Sequence, residues 1–423
     1  MLYNIDNLPA EFLEKISGKA FFLSELSKRN ISIPKTWILP ISSIFVREDI
    51  SRLKRINSYE EIVNIIGIKK MSDILTELTR IMKMNPKLRF CVRSSNCNED
   101  GDRNSYAGIY DSYVNISNKA DLLNKIVLVL LSYVQNGNDV LDDRFYNSSS
   151  IIIQEFIATF KSGVVYFNQN SALIEASKGL PIGIVNTSTK PESYFIDRYQ
   201  KIEISSTNDF IALYPVFTRV FPIVGEDIKL FDGERGRVLE IDLENFTIKV
   251  RLQRDPSQLL FSEEELLQFM QYIRANISSY FTFNELDIEF GIDSGGKIFI
   301  FQLRPITTKT DFSISSFKNG LISLNTGRAN GILVYYNSEF SKEYYDNKIV
   351  YINRIDGEAF YKIKDCIGLV VKTNSYLSHS SILARELNKV AVGLVGNHRL
   401  DNNTNYEICA EKNNLWIKKL EYL

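Results

Sequence analysis

Apolar residues recur at helical spacing through Phe12, Ile16, Phe22, Leu23 and Leu26, with a break at Ser17-Gly18-Lys19. Ile31 to Ile38, which contains Pro34, then reads as extended chain. Leu88 to Val92 is a short apolar strand running into a polar loop from Arg93 to Asn104, and Ile151 to Gln154 is another strand. Ser262-Glu263-Glu264-Glu265 spells a capping box, in which the serine side chain and the third glutamate satisfy each other's backbone N–H groups. The helix it opens carries Leu266, Phe269, Met270 and Ile273 on one face. Asp287 to Leu303 reads as a β-hairpin turning at Ser294-Gly295-Gly296.

After Pro305 the pattern loosens into a segment rich in Ser, Thr, Asn and Lys, from Thr307 to Thr326. Strands follow near Gly331 to Tyr336, Lys348 to Ile352 and Gly368 to Val371, with a helix from about Ser378 to Leu387. The expected organisation is therefore a domain over residues 1–307, a linker over 308–326 and a smaller domain over 327–423. The class is α/β (α+β). A length of 423 residues suits more than one core, and 44% hydrophobic with 24% charged residues is ordinary for a globular chain.

A net charge of −1 gives no reason to expect nucleic acid or an anionic membrane as partner. The four cysteines are scattered without a CxxC pair, which fits a reducing compartment. The first residues show no signal-peptide pattern, and no stretch approaches the roughly 20 apolar residues of a membrane span. A cytoplasmic location is expected.

Candidate chemistry begins at the hairpin. With a turn of two or four residues, Asp287 would lie opposite Gln302, and Glu289, Gln302 and Arg304 would project from one face, whereas a three-residue turn would break this. A carboxylate, an amide and a guanidinium together suit a magnesium-bound polyphosphate, the oxygens holding Mg2+ and the arginine the phosphate. Arg93-Ser94-Ser95 at a strand end, with Ala107-Gly108 and Ser112 beyond, supplies basic, hydroxyl and glycine groups of the kind that enclose phosphate.

The string CVRSSNCNEDGDRNSYAGIYDSYVNI resembles the ATP-binding signature of the family of phosphoenolpyruvate synthase, pyruvate phosphate dikinase and rifampicin phosphotransferase. SGKAFFLSELSKRNISIPKTWIL is similar to that family's N-terminal lysine motif. IIIQEFI, SGVVYF, IEASKGLPIGIVNTSTKPESYFIDR and LDIEFGIDSGGKIFIFQLRPIT follow in the family's order. The resemblance implies an ATP-grasp-like domain in two subdomains with ATP between them. It implies that Lys19 and Arg93 hold phosphates, that Gly108 and Ser112 line the triphosphate loop, and that Gln154 meets the base or hinge. Glu289 and Gln302 would serve Mg2+, and Arg304 the transferred phosphate. Lys178 stands where the family commonly has Trp, and Pro181 interrupts a stretch usually Gly-Glu.

Two histidines occur, His379 and His398. His379 follows Ser378, a good N-cap, and Ile382, Leu383 and Leu387 give the helix a buried face. A phosphoryl group on that imidazole would meet free backbone N–H groups and the positive end of the helix dipole. Neutral imidazole is also nucleophilic near pH 7. IGLVVKTNSYLSHSSILARELNKVAVGLVG resembles the mobile phosphohistidine (swivelling) domain of the same family, with Asn374-Ser375 in place of its paired glycines. The resemblance puts His379 at the phosphorylated position and Arg385 where it faces phosphate; His398 lies outside any motif.

No segment of this sequence is left for the family's third domain, a barrel of roughly 250 residues. The acceptor is expected to bind elsewhere, on a separate acceptor-binding protein or in a cleft between the two domains. Three readings stay open: a dikinase-type enzyme passing phosphate from ATP through His379 to a small-molecule acceptor, leaving AMP and phosphate; a phosphocarrier subunit whose acceptor is another protein; and a non-catalytic nucleotide-binding module.

Overall fold

Side chains that alternate across a strand can serve two neighbours at once, and the central sheet of this protein does so. The computed structural model describes residues 2–9, 12, 16, 18–96, 110–136, 141–168, 171–205, 209–218, 220–255, 257–278, 285–306, 317–318, 320–396, 399–411 and 414–420. Four sheets organise them.

The first sheet has five antiparallel strands in the spatial order Tyr3–Asn4, Thr36–Pro40, Ser150–Glu155, Phe90–Ser95, Ser112–Ile116. The helices Tyr59–Met84 and Lys119–Asn136 pack on it around Leu78, Val92, Ile126 and Ile153. Ser58 opens the longer helix with a capping box, Glu61 closing the reciprocal bond. An antiparallel four-stranded sheet spans Ile211–Pro215 to Thr247–Leu252.

The central sheet runs in the order Ile298–Pro305, Glu285–Ile292, Lys161–Asn168, Ser171–Lys178, Glu192–Asp197, Ile202–Ser205. Val165, Ile174, Phe290 and Ile300 on one face meet Leu266, Phe269, Met270 and Ile273 of the helix Glu263–Ile273. The helix is opened by the capping box expected at Ser262, whose Oγ accepts from Glu265 N at 3.2 Å while the Glu265 carboxylate accepts from Ser262 N at 2.8 Å. The other face presents Val164, Tyr166 and Leu173, which share one apolar cluster with Val350, Ile352, Leu377 and Leu383 of the C-terminal unit.

That unit is an eight-stranded mixed sheet whose parallel centre is Gly327–Tyr335, Ile349–Ile352, Gly368–Lys372 and Val390–Leu394. The strand Leu321–Asn325 pairs with Val390–Leu394 in the same sheet. This corrects the expected linker: part of the polar Ser, Thr and Asn pattern that suggested loose chain is an outer strand with Ile322 and Leu324 buried on one face and Leu321 packed on the other. Residues 307–316 lie outside the described residues. Among the described residues no helix is long and apolar enough to cross a membrane.

The hairpin differs from the expected register in an instructive way. Its turn has five residues, 293–297, between the paired Ile292 and Ile298. Asp293 Oδ1 accepts from the N–H groups of Gly295 and Lys297, and Gly296 takes the positive φ of 80° that such a turn needs. An odd turn would reverse the faces, but a bulge at Phe301 adds a second odd step, since Phe290 pairs with Ile300 and Glu289 with Gln302. Asp287 therefore lies opposite Arg304, not Gln302.

Candidate active site

The first strand end to consider is Phe90–Ser95, which brings Arg93 opposite Ser112. Across the gap between the first and central sheets, the Arg93 guanidinium donates to the Phe301 carbonyl at 2.9 Å, to Glu289 Oε2 at 3.1 Å and to Gln302 Oε1 at 2.8 Å. The bulge frees that carbonyl from the ladder and aims it at the guanidinium. Lys19 stands in the first turn of the helix Gly18–Lys28 and donates to Ser94 Oγ at 3.4 Å, while Ala20 N donates to Ser95 Oγ at 3.0 Å. One strand end thus positions two cations.

Between these elements is a cleft lined by residues of both sheets. Its lining includes apolar side chains, Val114, Phe156, Leu180, Pro181, Ile182 and Val185, and the polar set Lys19, Arg93, Glu289, Gln302 and His379. Ser112 and Gln154 also line it. The Gln154 amide is fixed by donating to Thr36 Oγ1 at 3.0 Å, inside a fully paired strand. Gly108 and His398 lie outside the described residues.

His379 begins the helix His379–Glu386, with Ser378 as N-cap accepting from Ser381 N. Its imidazole is crowded on the cleft wall while keeping a partly open edge. Burial, and then the positive charges of Arg304, Lys19, Arg354 and Arg93, hold its pKa well below the ordinary imidazole value. The ring is therefore neutral at pH 7 and keeps a lone pair. Arg354 was not anticipated; it sits in an exposed loop whose next residue, Ile355, donates its N–H to Ser380 Oγ at 3.0 Å.

Arg304 is buried and gripped by Asp287, with Nε and Nη2 donating to Oδ2 at 2.8 and 2.6 Å. Burial raises the Asp287 carboxyl and Arg304 opposes this. Asp287 thus orients the arginine, a role the expected register hid. Arg385 requires a correction: it does not line the cleft. Its Nη1 donates to the Tyr376 carbonyl at 2.8 Å and its guanidinium lies 4.6 Å from the Tyr376 ring. It shapes the loop ahead of His379.

Asn374 and Ser375, in place of paired glycines, do not take positive φ, so the backbone asks for no glycine there. Instead the Ser375 carbonyl accepts from Thr373 Oγ1 at 2.9 Å and Ser381 Oγ at 2.6 Å.

The fit of a metal can be judged from the donors. Glu289 and Gln302 oxygens converge on a single cationic nitrogen of Arg93, so the pair can face one positive charge. No group of three or more His, Cys, Asp or Glu able to hold a metal occurs among the described residues. Mg2+ here would take these two oxygens and draw its remaining ligands from phosphate and water, its usual habit with nucleotides.

Residues 14–316 match the family described as Pyruvate phosphate dikinase, AMP/ATP-binding domain. The chain is 22% identical over 321 residues to an uncharacterized phosphotransferase, YvkC, of Bacillus subtilis, covering 73% of this chain and 35% of that protein. It is 22% identical to a probable phosphoenolpyruvate synthase of Archaeoglobus fulgidus, covering 89% of this chain and 52% of the relative. Against the phosphoenolpyruvate synthase of Pyrococcus furiosus the figures are 22%, 83% and 44%. The chain thus spans about half, or less, of the length of these relatives.

Proposed function

Since the chain belongs to the pyruvate phosphate dikinase AMP/ATP-binding domain family, we propose that it is an ATP- and magnesium-dependent phosphotransferase of the dikinase kind that carries phosphate on His379. The observation that carries this reading is the placement of His379 in one cleft with Lys19, Arg93, Glu289 and Gln302. The apolar side chains of the lining take the adenine, and the cations take the phosphates. Magnesium, when bound through Glu289 and Gln302, supplies charge neutralisation at the phosphate oxygens.

The chain's own residues do the rest. Lys19 and Arg93 hold the polyphosphate, and Arg304, locked by Asp287, faces the charge that develops on transfer. The neutral imidazole of His379 forms a nitrogen–phosphorus bond as a phosphorus–oxygen bond of ATP breaks. When AMP is the leaving group in that step, the histidine carries a pyrophosphoryl group; water cleaves its phosphoanhydride and releases phosphate, and transfer of the remaining phosphoryl group to a hydroxyl acceptor, whose proton is released, regenerates the imidazole. The match covers 52% and 44% of two relatives named probable phosphoenolpyruvate synthase and phosphoenolpyruvate synthase, which is compatible with a small-molecule acceptor site on a further segment or a separate protein.

Incubation with labelled ATP and magnesium, without acceptor, tests the carrier. The protein should take up label that is acid-labile and alkali-stable, as a nitrogen–phosphorus bond is. The label should vanish in His379→Ala and persist in His398→Ala. Robust labelling of the His379→Ala protein would falsify the carrier role.

A further inference from the structure

Glu175 is completely buried on the central-sheet strand Ser171–Lys178. Its neighbours on that face of the sheet, Val164, Tyr166 and Leu173, are apolar and belong to the cluster shared with the C-terminal unit. A carboxylate in such a place costs several kcal/mol of lost hydration unless donors surround it. The donors come almost entirely from the far unit, about 200 positions along the chain: Ser375 Oγ at 2.5 Å, Tyr376 N at 2.8 Å and Leu377 N at 2.9 Å. Ser193 Oγ, on the adjacent strand, adds a longer contact of 3.4 Å.

These donors sit in the loop that immediately precedes Ser378 and His379. The loop's shape is fixed from its own side by Arg385, which holds the Tyr376 carbonyl, and by Ser381 and Thr373, which hold that of Ser375. Glu175 fixes it from the opposite side. Among the described residues the carboxylate meets no cation directly; Arg385 acts on it through the field, and burial raises its pKa against these bonds. Its stabilisation therefore depends on two backbone N–H groups and one hydroxyl arriving together.

We propose that Glu175 is a positioning residue that seats the His379 loop in the nucleotide cleft, recognising the docked loop through the Ser375 hydroxyl and the Tyr376 and Leu377 N–H groups. This rests on His379 being the phosphate carrier. Glu175 does not line the cleft, so it acts on the histidine and not on the nucleotide. In a unit that moves away to deliver phosphate, the carboxylate would return to water and the N–H groups would be released. The clamp is thus complete only in the loading position.

The test compares the parent with Glu175→Gln, which keeps the volume but removes the charge and sets amide donors against N–H donors. The rate of His379 labelling at saturating ATP should fall tenfold or more while nucleotide affinity stays within twofold. Hydrogen exchange at Tyr376 and Leu377 should accelerate, with the strand Gly368–Lys372 unaffected. Ser375→Gly, which leaves both backbone bonds, should slow labelling about threefold. In the double variant the two effects should fail to multiply, as expected for partners in one interaction.

Labelling of Glu175→Gln at the parental rate would overturn the proposal, as would an equal loss of nucleotide affinity, which marks a general structural role. If Glu175→Gln does not fold, an unchanged rate in Ser375→Gly overturns it instead. If the parent takes up no label, the carrier reading has failed, and exchange still decides the clamp: protection at Tyr376 and Leu377 that survives Glu175→Gln removes it.

Discussion

Two of the seams that join the central sheet to its neighbours are bonded in opposite ways. At the seam with the first sheet a cation, Arg93, faces a carboxylate, an amide and a carbonyl. At the seam with the C-terminal unit a carboxylate, Glu175, faces neutral donors only. A ligand bearing its own charges can enter the first and exchange partners, magnesium taking the oxygens and phosphate the guanidinium. At the second, the carboxylate and its donors are buried away from the cleft lining. On the proposed function one seam opens to ligand, and on the further inference the other registers position.

The largest expected effect breaks the first seam. Arg93→Ala should weaken ATP binding by about 1.5–3 kcal/mol, the worth of a charge-assisted hydrogen bond, in calorimetry with magnesium present. Exchange protection at Tyr376 and Leu377 should be unchanged in that variant; a loss there would show the seams to be coupled. Glu289→Gln should leave the fold intact and lower magnesium-dependent labelling roughly tenfold. Parent-like activity at limiting magnesium would remove Glu289 from the metal role.

A control leaves both seams whole. Ser262→Ala removes the cap of the helix on the far face of the central sheet and should cost about 1 kcal/mol of stability, read by urea unfolding, without slowing His379 labelling per folded molecule. The smallest effect at pH 7 belongs to the imidazole itself. Its folded pKa lies below the ordinary value near 6.5, so below pH 6.5 the unfolded chain takes a proton that the folded chain refuses. Stability from this source is present above pH 6.5 and is lost as pH falls towards the folded pKa. His379→Ala should therefore show a flatter decline between pH 7 and 5.5, and parallel declines would contradict the buried, cation-ringed histidine.

Much of the architecture was legible because it is local. The capping box at Ser262, the hairpin and the helix after Ser378 each carry their signal within a few residues, and the structure has all three. The partners across the hairpin were two residues out, since neither a five-residue turn nor the compensating bulge leaves a mark on alternation. Asp287 therefore passed unnoticed as the holder of Arg304. The segment 317–325 was misjudged because an outer strand needs few apolar residues, here Ile322 and Leu324. Glu175 could not have been found by spacing at all: its partners lie 200 positions away and two of them are backbone N–H groups. Arg385 was misplaced for a related reason, because sequence position near a histidine does not say which way a guanidinium turns.

The odd turn at Asp293–Lys297 and the bulge at Phe301 act as paired frameshifts that cancel before the chain reaches Gln302. Lengthening the turn by two residues leaves Gln302 facing the cleft and Arg304 beside Asp287. Adding or deleting one turns both side chains towards the helix Glu263–Ile273 unless the bulge is ironed out in the same step. The tip of this hairpin is thus a place where tags and loops can be grafted in even increments, while odd ones probe whether the bulge can heal.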